Sequence, residues 1–451
     1  MSERVFDVIV LGAGPAGEVV AGRLGEARLE VAAVEAHLIG GECSYDACMP
    51  SKALLRPNEL LGEVGRVPGI TGSGPNAAAV LARRDDVIHG LDDSSQVDWL
   101  AQRGVTAVRG HGRFDGERRV RVEDEGLVAR RAVVVATGSG PLLPPIPGLT
   151  ESHPWTNREG TTAKAVPASL VIVGGGVVGV ELAQAWASLG TRVTVVESGS
   201  RVIVREEPFA SEQVAAALLA AGAELHEGVK AVSLSRAERL MVGLDDGSSV
   251  SGDEVLVAVG RRPATDGIGL ETIGLEPGAP IQVGLDLRSP VHDWLFAIGD
   301  VNGRSLLTHM GKYHARLAAD AILGKDVAVR SDGFLSPRVI FTDPQVAAVG
   351  HTLASAQEAG LPARALDVET GGTAGGSFVG RNAAGTSRLV IDENRGIVVG
   401  ATFTGFETAE LIHAATIAVV AEIPLQTLRH AVPSFPTRSE IWVHLLEQVG
   451  F

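Results

Sequence analysis

The hydrophobic pattern at the start of the chain predicts a strand, a glycine-rich turn, a helix and a second strand. The stretch at residues 7–11, Asp followed by four apolar residues, is of the buried-strand type. An alanine- and valine-rich helical stretch follows the turn, and the second strand ends at Glu35. In the turn, Gly12 suits a tight bend, Gly14 lets backbone N–H groups approach a pyrophosphate, and Gly17 allows close packing of helix on strand. Glu35 stands where an acid holds a ribose hydroxyl, so the sequence predicts a dinucleotide site.

The same pattern recurs later in the chain. A buried-type strand over residues 170–173 meets Gly174, Gly176 and Gly179, and the strand after the next helix ends at Glu197. A second dinucleotide site is therefore predicted, and Gly260, at the end of a further strand, is expected among its residues. The Glu197 carboxylate would repel a 2′-phosphate, which favours NADH over NADPH.

The pattern changes between and after these two units. Residues 58–103 have a helical pattern and are predicted to be an insertion, residues 106–135 alternate short strands and turns, and the proline-rich stretch 141–147 is typical of a domain boundary. A later strand meets Asp300, which is well placed at its carboxyl end to accept hydrogen bonds from sugar-like hydroxyls. From residue 338, strands and helices without a third fingerprint predict a dimerisation domain.

Length and charge narrow the class of protein. A chain of 451 residues is too long for one ordinary core, so several domains are expected. No apolar run approaches the length needed to span a bilayer, and the N-terminus lacks the blocks of a signal peptide, which together predict a cytoplasmic protein. The net charge of −15 argues against nucleic acid or an anionic membrane surface as a partner.

Both cysteines of the chain, Cys43 and Cys48, lie in one motif at residues 40–52. An uninterrupted helix would hold residues five apart beyond bonding reach, so a disulfide between them requires a distorted loop. Pro50 fits the first helical position and disfavours helical dihedrals at Met49, which predicts that Cys48 lies just ahead of a helix, where the positive end of the helix favours a thiolate. A redox centre is the favoured interpretation, and a structural disulfide is the alternative.

In this order, the motifs resemble class I pyridine nucleotide-disulfide oxidoreductases, the flavoenzymes that include lipoamide dehydrogenase, glutathione reductase and mercuric reductase. The resemblance spans nearly the whole chain and rests on the two fingerprints, the Cys-x4-Cys with Pro-Ser-Lys, the Ala-Thr-Gly at 136–138 and Gly299-Asp300. It implies an α/β fold of two three-layered, Rossmann-like dinucleotide-binding domains plus an α+β C-terminal dimerisation domain. The resemblance also implies a homodimer. The expected domain boundaries are 1–149 with 265–330 for FAD binding, 150–264 for NAD(H) binding and 331–451 for dimerisation.

The resemblance implies that the first fingerprint holds FAD and the second holds the nicotinamide cofactor. Asp300 would contact the ribityl chain, and Thr137 and Gly138 would belong to the same FAD site. Thr308 and His309 match a peptide of the family that flanks the flavin, and His309 would tune the isoalloxazine.

The resemblance also implies a direction of electron flow. Electrons would pass from NADH to FAD, then to the Cys43–Cys48 disulfide, and then to an acceptor. Cys48 would be the charge-transfer thiolate against the flavin, and Cys43 the interchange thiol that meets the substrate. Lys52 and Glu181 match the family's ion pair near flavin N5 and the nicotinamide.

The chain departs from the family near its C-terminus. There the family has a His-Pro-Thr segment followed by an acid, and the histidine of the partner subunit serves the thiols as acid and base, whereas this chain has Phe435 in the histidine position and retains Glu440. Phenylalanine cannot transfer a proton, so the relay is expected to be atypical. His430, or His444 one helical turn after Glu440, could compensate, and Glu440 could equally be a first-turn acid of the following helix.

Three functions follow from this combination. The first is an NADH-dependent flavoprotein oxidoreductase that acts on small disulfides or on quinone and dye acceptors. The second is a C–S or C–C cleaving or carboxylating enzyme with Cys43 as nucleophile, because ketopropyl-coenzyme M oxidoreductase/carboxylase also has phenylalanine for the histidine; that enzyme, however, replaces the glutamate that is retained here. The third is a redox sensor or complex component. Mercuric and high-molecular-weight thioredoxin reductases are disfavoured because the chain has no C-terminal cysteines.

Overall fold

The structure is a computed structural model that describes residues 3–381, 383 and 385–451. The chain forms two compact units, each assembled from three segments. The first unit comprises Met1–Pro50, Asp85–Leu142 and Arg261–Gly333, and the second comprises Ser51–Arg84, Leu143–Gly260 and Phe334–Phe451. The three domain boundaries expected from the sequence stay a prediction.

The strands alternate with helices along most of the chain. In chain order they are β1 (Glu3–Leu11), β2 (Val31–Glu35), β3 (Val105–Arg109), β4 (Gly112–Phe114), β5 (Arg119–Val122), β6 (Glu125–Val135), β7 (Ser139–Pro141), β8 (Ser169–Val173), β9 (Arg192–Glu197), β10 (Glu224–Glu227), β11 (Ala231–Arg236), β12 (Leu240–Leu244), β13 (Ser249–Gly252), β14 (Glu254–Val257), β15 (Arg261–Pro263), β16 (Leu295–Ala297), β17 (Arg338–Ile340), β18 (Gln345–Gly350), β19 (Ala363–Glu369), β20 (Thr386–Asp392) and β21 (Ile397–Gly405).

The α-helices are, in the same order, α1 (Pro15–Glu26), α2 (Gly41–Tyr45), α3 (Cys48–Arg66), α4 (Ala77–Val87), α5 (Ser94–Ala101), α6 (Asn157–Thr162), α7 (Val177–Ser188), α8 (Pro208–Ala220), α9 (Thr308–Ile322), α10 (Leu353–Glu358), α11 (Ala374–Ser377), α12 (Thr408–Val420), α13 (Leu425–Leu428) and α14 (Ile441–Glu447). Short 3-10 turns lie at His89–Leu91, Leu270–Ile273, Gly299–Asn302, Gly333–Leu335 and Arg438–Glu440. None of these helices combines the length and the apolar character needed to cross a membrane.

The first unit is built on a mixed sheet with the strand order β3-β2-β1-β6-β5-β4, in which β16 also pairs with β6. Strands β3, β2, β1, β6 and β16 are parallel, and β4 and β5 add an antiparallel edge. Successive residues of β1 point to opposite faces: Val8 and Val10 pack in the core that includes α1 and α9, whereas Ile9 and Leu11 pack in the core that includes Phe114. This alternation is what a doubly covered, three-layered sheet requires.

The second unit contains a parallel sheet, β10-β9-β8-β14, a three-stranded meander, β11-β12-β13, and an antiparallel sheet, β17-β18-β21-β20-β19. The parallel sheet packs on α7, whose Trp186 is fully buried, and on α8. The antiparallel sheet packs on α12 and α14 through a core that includes Phe403, Ala415 and Leu445. The fold class predicted from the sequence, two Rossmann-like units and an α+β C-terminal domain, is confirmed.

Candidate active site

The turn after β1 is held by close backbone contacts that admit glycine alone. Gly12 has φ +93°, and a Cβ there would lie 2.5 Å from the carbonyl oxygen of Ala136. A Cβ at Gly17 would lie 1.9 Å from the Gly12 oxygen, which is impossible without separating α1 from the turn. The Ala13 N–H donates to the Glu35 carboxylate at 2.8 Å, so the acid at the end of β2 is fixed beside the turn.

The turn after β8 repeats these contacts. Gly174 has φ +111°, and a Cβ there would lie 2.5 Å from the oxygen of Ala258, while a Cβ at Gly179 would lie 1.9 Å from the Gly174 oxygen. The Gly175 N–H donates to Glu197 at 2.6 Å, as the Ala13 N–H does to Glu35. The two turns therefore have the same backbone architecture.

Both turns leave space at the glycine that caps the following helix. A Cβ at Gly14 would come no closer than 3.8 Å, to Gly41 Cα, and one at Gly176 would meet no heavy atom of the described residues within 4 Å. Each glycine is the N-cap of its helix, α1 or α7, where free backbone N–H groups and the helix dipole attract phosphate. The residues present fit the pyrophosphate and ribose of a dinucleotide in both units.

The cysteine motif breaks the helix between its two thiols. Cys43 lies in the short helix α2, and Cys48 is the first residue of α3, with a turn and a bend between them. The predicted distortion is present, but Cys48 does not lie ahead of the helix. Met49 is helical, and Pro50 is the third helical residue. Proline is tolerated at this position because the N–H groups of the first turn have no partner within the helix, so that no hydrogen bond is lost.

The motif is fixed directly on the first glycine turn. The Gly40 N–H donates to the carbonyl oxygen of Ala13 at 2.8 Å. Gly41 has φ +62°, and a Cβ there would lie 2.6 Å from Gly14 Cα, so two glycines pack backbone against backbone. A side chain at Gly41 would push α2, and Cys43 with it, away from the turn.

One hydroxyl group contacts both sulfur atoms. The Thr308 hydroxyl donates to Cys43 Sγ at 3.1 Å and lies 3.5 Å from Cys48 Sγ. Cys43 and Cys48 are both in the thiol form in this structure. The hydrogen bond to Cys48 and burial together raise the pKa of Cys43, outweighing the opposite effects of Thr308 and Lys312.

Asp300 belongs to a polar cluster that the sequence reasoning did not find. Ser139 Oγ donates to Asp300 at 2.6 Å, Arg261 Nε donates to Ser139 Oγ at 2.7 Å, and the Arg261 guanidinium also pairs with Glu42. Burial raises the pKa of Asp300, although Ser139 and Arg261 act against this. The signal available in the sequence was the Arg-Arg-Pro that follows Gly260, because an arginine between two partly buried acids is a natural counter-ion.

Two further predicted FAD-site residues lie near this cluster in the chain. The Thr137 hydroxyl donates to the carbonyl oxygen of Ala264 at 2.7 Å, and Gly138 has φ +74°. Both Thr137 and Gly138 thus shape the chain between β6 and β7.

His309, which the sequence also predicted for the FAD site, is the second residue of α9 and is exposed.

Lys52 and Glu181 form the predicted ion pair. Lys52 Nζ donates to Glu181 Oε2 at 2.7 Å, and only 3% of Glu181 is exposed. The other oxygen, Oε1, accepts the backbone N–H of Phe341 at 2.9 Å, and the ring centroid of Phe341 lies 4.8 Å from Lys52 Nζ. Sequence reasoning found the pair but missed Phe341, which lies about 160 residues beyond Glu181 in the chain.

The C-terminal segment presents Phe435 to solvent, with 77% of the residue exposed. Glu440 caps the 3-10 turn before α14: its Oε2 accepts the N–H of Thr437 at 3.2 Å and the N–H of Gly375 at 3.0 Å. His430 and His444 are exposed, and His444 Nδ1 lies 3.6 Å from Glu447 Oε2. Glu440 therefore has a structural task in this segment.

The redox role of this chain is supported by comparison with known proteins. Residues 6–319 match the family described as pyridine nucleotide-disulphide oxidoreductase, and residues 336–446 match its dimerisation domain. Dihydrolipoyl dehydrogenase of Haloferax volcanii is 31% identical over 96% of this chain and 94% of its own, and mercuric reductase of Acidithiobacillus ferrooxidans is 31% identical over 93% and 78%.

Solved structures agree with this assignment. LpdA of Mycobacterium tuberculosis superimposes with a TM-score of 0.86 at 25% identity over 100% of both chains, and the flavoprotein disulfide reductase RclA of Escherichia coli shares the fold, with a TM-score of 0.88 at 23% identity over 99% of this chain and 100% of its own. The chain therefore belongs to the pyridine nucleotide-disulphide oxidoreductase family and is an FAD-dependent NAD(P)H disulfide oxidoreductase.

Proposed function

We propose that this protein is an NADH-dependent enzyme whose Cys43–Cys48 pair passes two electrons to a small disulfide, or whose reduced form passes them to a quinone or dye acceptor. The observation that carries the proposal is the hydrogen-bonded thiol pair, which shares the Thr308 hydroxyl and rests on the first glycine turn. A pair that only cross-links the fold has no need of a shared hydroxyl.

Each part of the chain has a task in this proposal. The first glycine turn, Glu35 and Asp300 bind FAD, and the second turn and Glu197 bind NADH. When bound, FAD supplies the chemistry that carries two electrons from the nicotinamide to a disulfide. Lys52 and Glu181 orient the reacting groups through their fixed ion pair.

The dithiol then reduces a disulfide acceptor in two exchange steps. Cys43, once deprotonated, attacks one acceptor sulfur, so that a mixed disulfide forms and the first product leaves as a thiolate. Cys48 attacks the Cys43 sulfur, the internal disulfide closes, and the second thiolate leaves. Each departing thiolate needs a proton, which Phe435 cannot donate, so acceptors that need no thiol protonation are favoured.

Anaerobic titration with NADH tests the proposal. We expect a long-wavelength thiolate–flavin absorption band in the reduced protein, and two titratable thiols where the oxidised protein has none, because the chain has no other cysteine. A screen of small disulfides, quinones and dyes then identifies the acceptor. If NADH produces neither the band nor the thiols, the role proposed for the cysteine pair is wrong; slow turnover with every acceptor would favour a redox sensor instead.

The nucleotide preference should depend on Glu197. Its carboxylate accepts the N–H groups of Gly175 and Gly199, at 2.6 and 2.5 Å, and so stands fixed at the end of β9. Charges about 4 Å apart interact by about 1–4 kcal/mol, so Glu197→Gln should lower the ratio of kcat/KM for NADH to that for NADPH by about tenfold or more. Glu212→Gln, which removes an exposed acid from α8, is the matched control and should leave the ratio unchanged. An unaltered ratio in Glu197→Gln would remove Glu197 as the determinant.

A further inference from the structure

We infer that Phe341 is a positioning residue for the Lys52–Glu181 pair: its backbone holds the carboxylate, and its ring holds the ammonium group. This rests on the function proposed above for the pair. The inference adds a residue that contacts both partners and lies on a different segment of the chain from either.

The carboxylate is held at both of its oxygens. Oε2 accepts from Lys52 Nζ at 2.7 Å and Oε1 accepts from the Phe341 N–H at 2.9 Å, and the side chain of Glu181 is almost completely buried. A buried carboxylate must be paired and hydrogen-bonded to stay charged. The backbone of Phe341 supplies the hydrogen bond that Lys52 does not.

The ammonium group of Lys52 has three neighbours for its three protons. They are Glu181 Oε2 at 2.7 Å, Ser51 Oγ at 3.3 Å and the ring of Phe341, whose centroid is 4.8 Å away. A cation within about 6 Å of a ring centroid is attracted by the negative face of the ring. Without the ring, the Lys52 side chain, which has four rotatable bonds, would keep two of these neighbours: Ser51 on its own helix and Glu181.

The segment that carries Phe341 is itself fixed to both helices that carry the pair. Gln184, one turn after Glu181 on α7, exchanges two hydrogen bonds with the backbone of Asp343: it accepts the N–H at 2.7 Å and donates to the oxygen at 2.9 Å. Arg66, at the end of α3, pairs with the Asp343 carboxylate at 3.0 Å. The ring of Phe341 is thus rigidly supported, as a residue that orients a catalytic group must be.

A purely apolar role for the ring is the alternative to be excluded, because Phe341 also packs against the core of the parallel sheet in the second unit. Phe341→Leu keeps an apolar side chain and the backbone N–H but removes the aromatic face. Phe341→Tyr keeps the face. The two variants therefore separate the attraction of a cation from the filling of space.

The test measures two quantities in the holoenzyme variants. At saturating NADH, Phe341→Leu should slow flavin reduction by about 2- to 30-fold, the equivalent of one cation–π contact, with KM for NADH unchanged, while Phe341→Tyr stays within about twofold of the parent. The second readout does not depend on turnover. The chain has five lysines, and mass spectrometry after reductive methylation should show Lys52 labelled at least about twofold faster in Phe341→Leu, relative to the exposed Lys230.

A double-mutant cycle with Lys52→Met decides between the proposals. If the ring acts through the ammonium group, Phe341→Leu should slow flavin reduction by less than about twofold in the Lys52→Met background. An undiminished effect there, or equal rates in Phe341→Leu and the parent, overturns the inference. A Lys52→Met single variant that reduces its flavin at the normal rate overturns the role of the pair itself.

Ring fluorination covers the case in which Phe341→Leu fails to fold. Mono-, di- and trifluorophenylalanine at position 341 nearly preserve the shape of the ring while weakening its negative face stepwise. Flavin reduction should slow, and Lys52 labelling should quicken, in the same order. Rates that do not follow fluorine number overturn the inference.

Discussion

Phe435→His is expected to raise the reduction of lipoamide or glutathione disulfide by about 10²–10⁴-fold while diaphorase activity with dyes stays level. The gain is specific to disulfides because only the departing thiolates need a proton. Phe435 is 77% exposed, so an imidazole there is free to reach a second subunit. Glu440 uses one oxygen, Oε2, for Thr437 and Gly375, and we expect the new imidazole to donate to its other oxygen.

Phe378→His is the matched control for this substitution. Phe378 also lies in the C-terminal domain and is 74% exposed, so the variant has the same change of charge and polarity away from position 435. It should leave both activities unchanged. If Phe435→His has the same profile as Phe378→His, proton transfer at position 435 does not limit disulfide reduction.

Serine substitution of the two cysteines is expected to abolish disulfide reduction, by about three orders of magnitude or more, the scale seen when an obligatory nucleophile is lost. The two variants should nevertheless differ in spectrum. In Cys43→Ser the remaining Cys48 cannot form the internal disulfide, so the long-wavelength thiolate–flavin band should be present before any NADH is added. In Cys48→Ser the band should be absent, because this variant lacks the thiol that the family resemblance places against the flavin.

Dye reduction is the internal control for both variants, because electron transfer to a dye does not use the thiols. It should persist within a few-fold of the parent. The reverse pattern, with the band in Cys48→Ser and none in Cys43→Ser, would exchange the roles of the two cysteines. Disulfide reduction that survives both substitutions would move the activity away from this motif.

The features that could be predicted from the sequence are those that local backbone geometry decides. At four positions a Cβ would collide with a carbonyl oxygen: Gly12, Gly17, Gly174 and Gly179. Glycine is therefore required there, and the short spacing of these glycines can be recognised in the sequence. Glu35 and Glu197, at the ends of β2 and β9, could be predicted because they belong to the same units of strand, glycine turn, helix and strand. The helical pattern of residues 58–103 was also predictable, because the end of α3 and all of α4 and α5 lie in this range.

The features that could not be predicted depend on contacts between distant segments. Phe341 contacts Glu181, and Arg261 contacts Glu42, only in the folded chain. These residues are far apart in the sequence, and no periodicity in the sequence indicates such contacts. Glu440 is a different case. The spacing Thr-Arg-Ser-Glu at 437–440 is that of a capping box, so its structural task could have been predicted from local sequence alone.

The order in which the first sheet is completed has a consequence for the synthesis of the protein. The end of β6, at Val133–Val135, pairs with β16, whose residues lie about 160 positions later and take about 8–30 s to appear at about 5–20 residues per second. Until then this apolar strand end lacks one neighbour and can pair with another nascent chain. A chaperone that shields this strand end during synthesis should therefore improve the yield of folded protein.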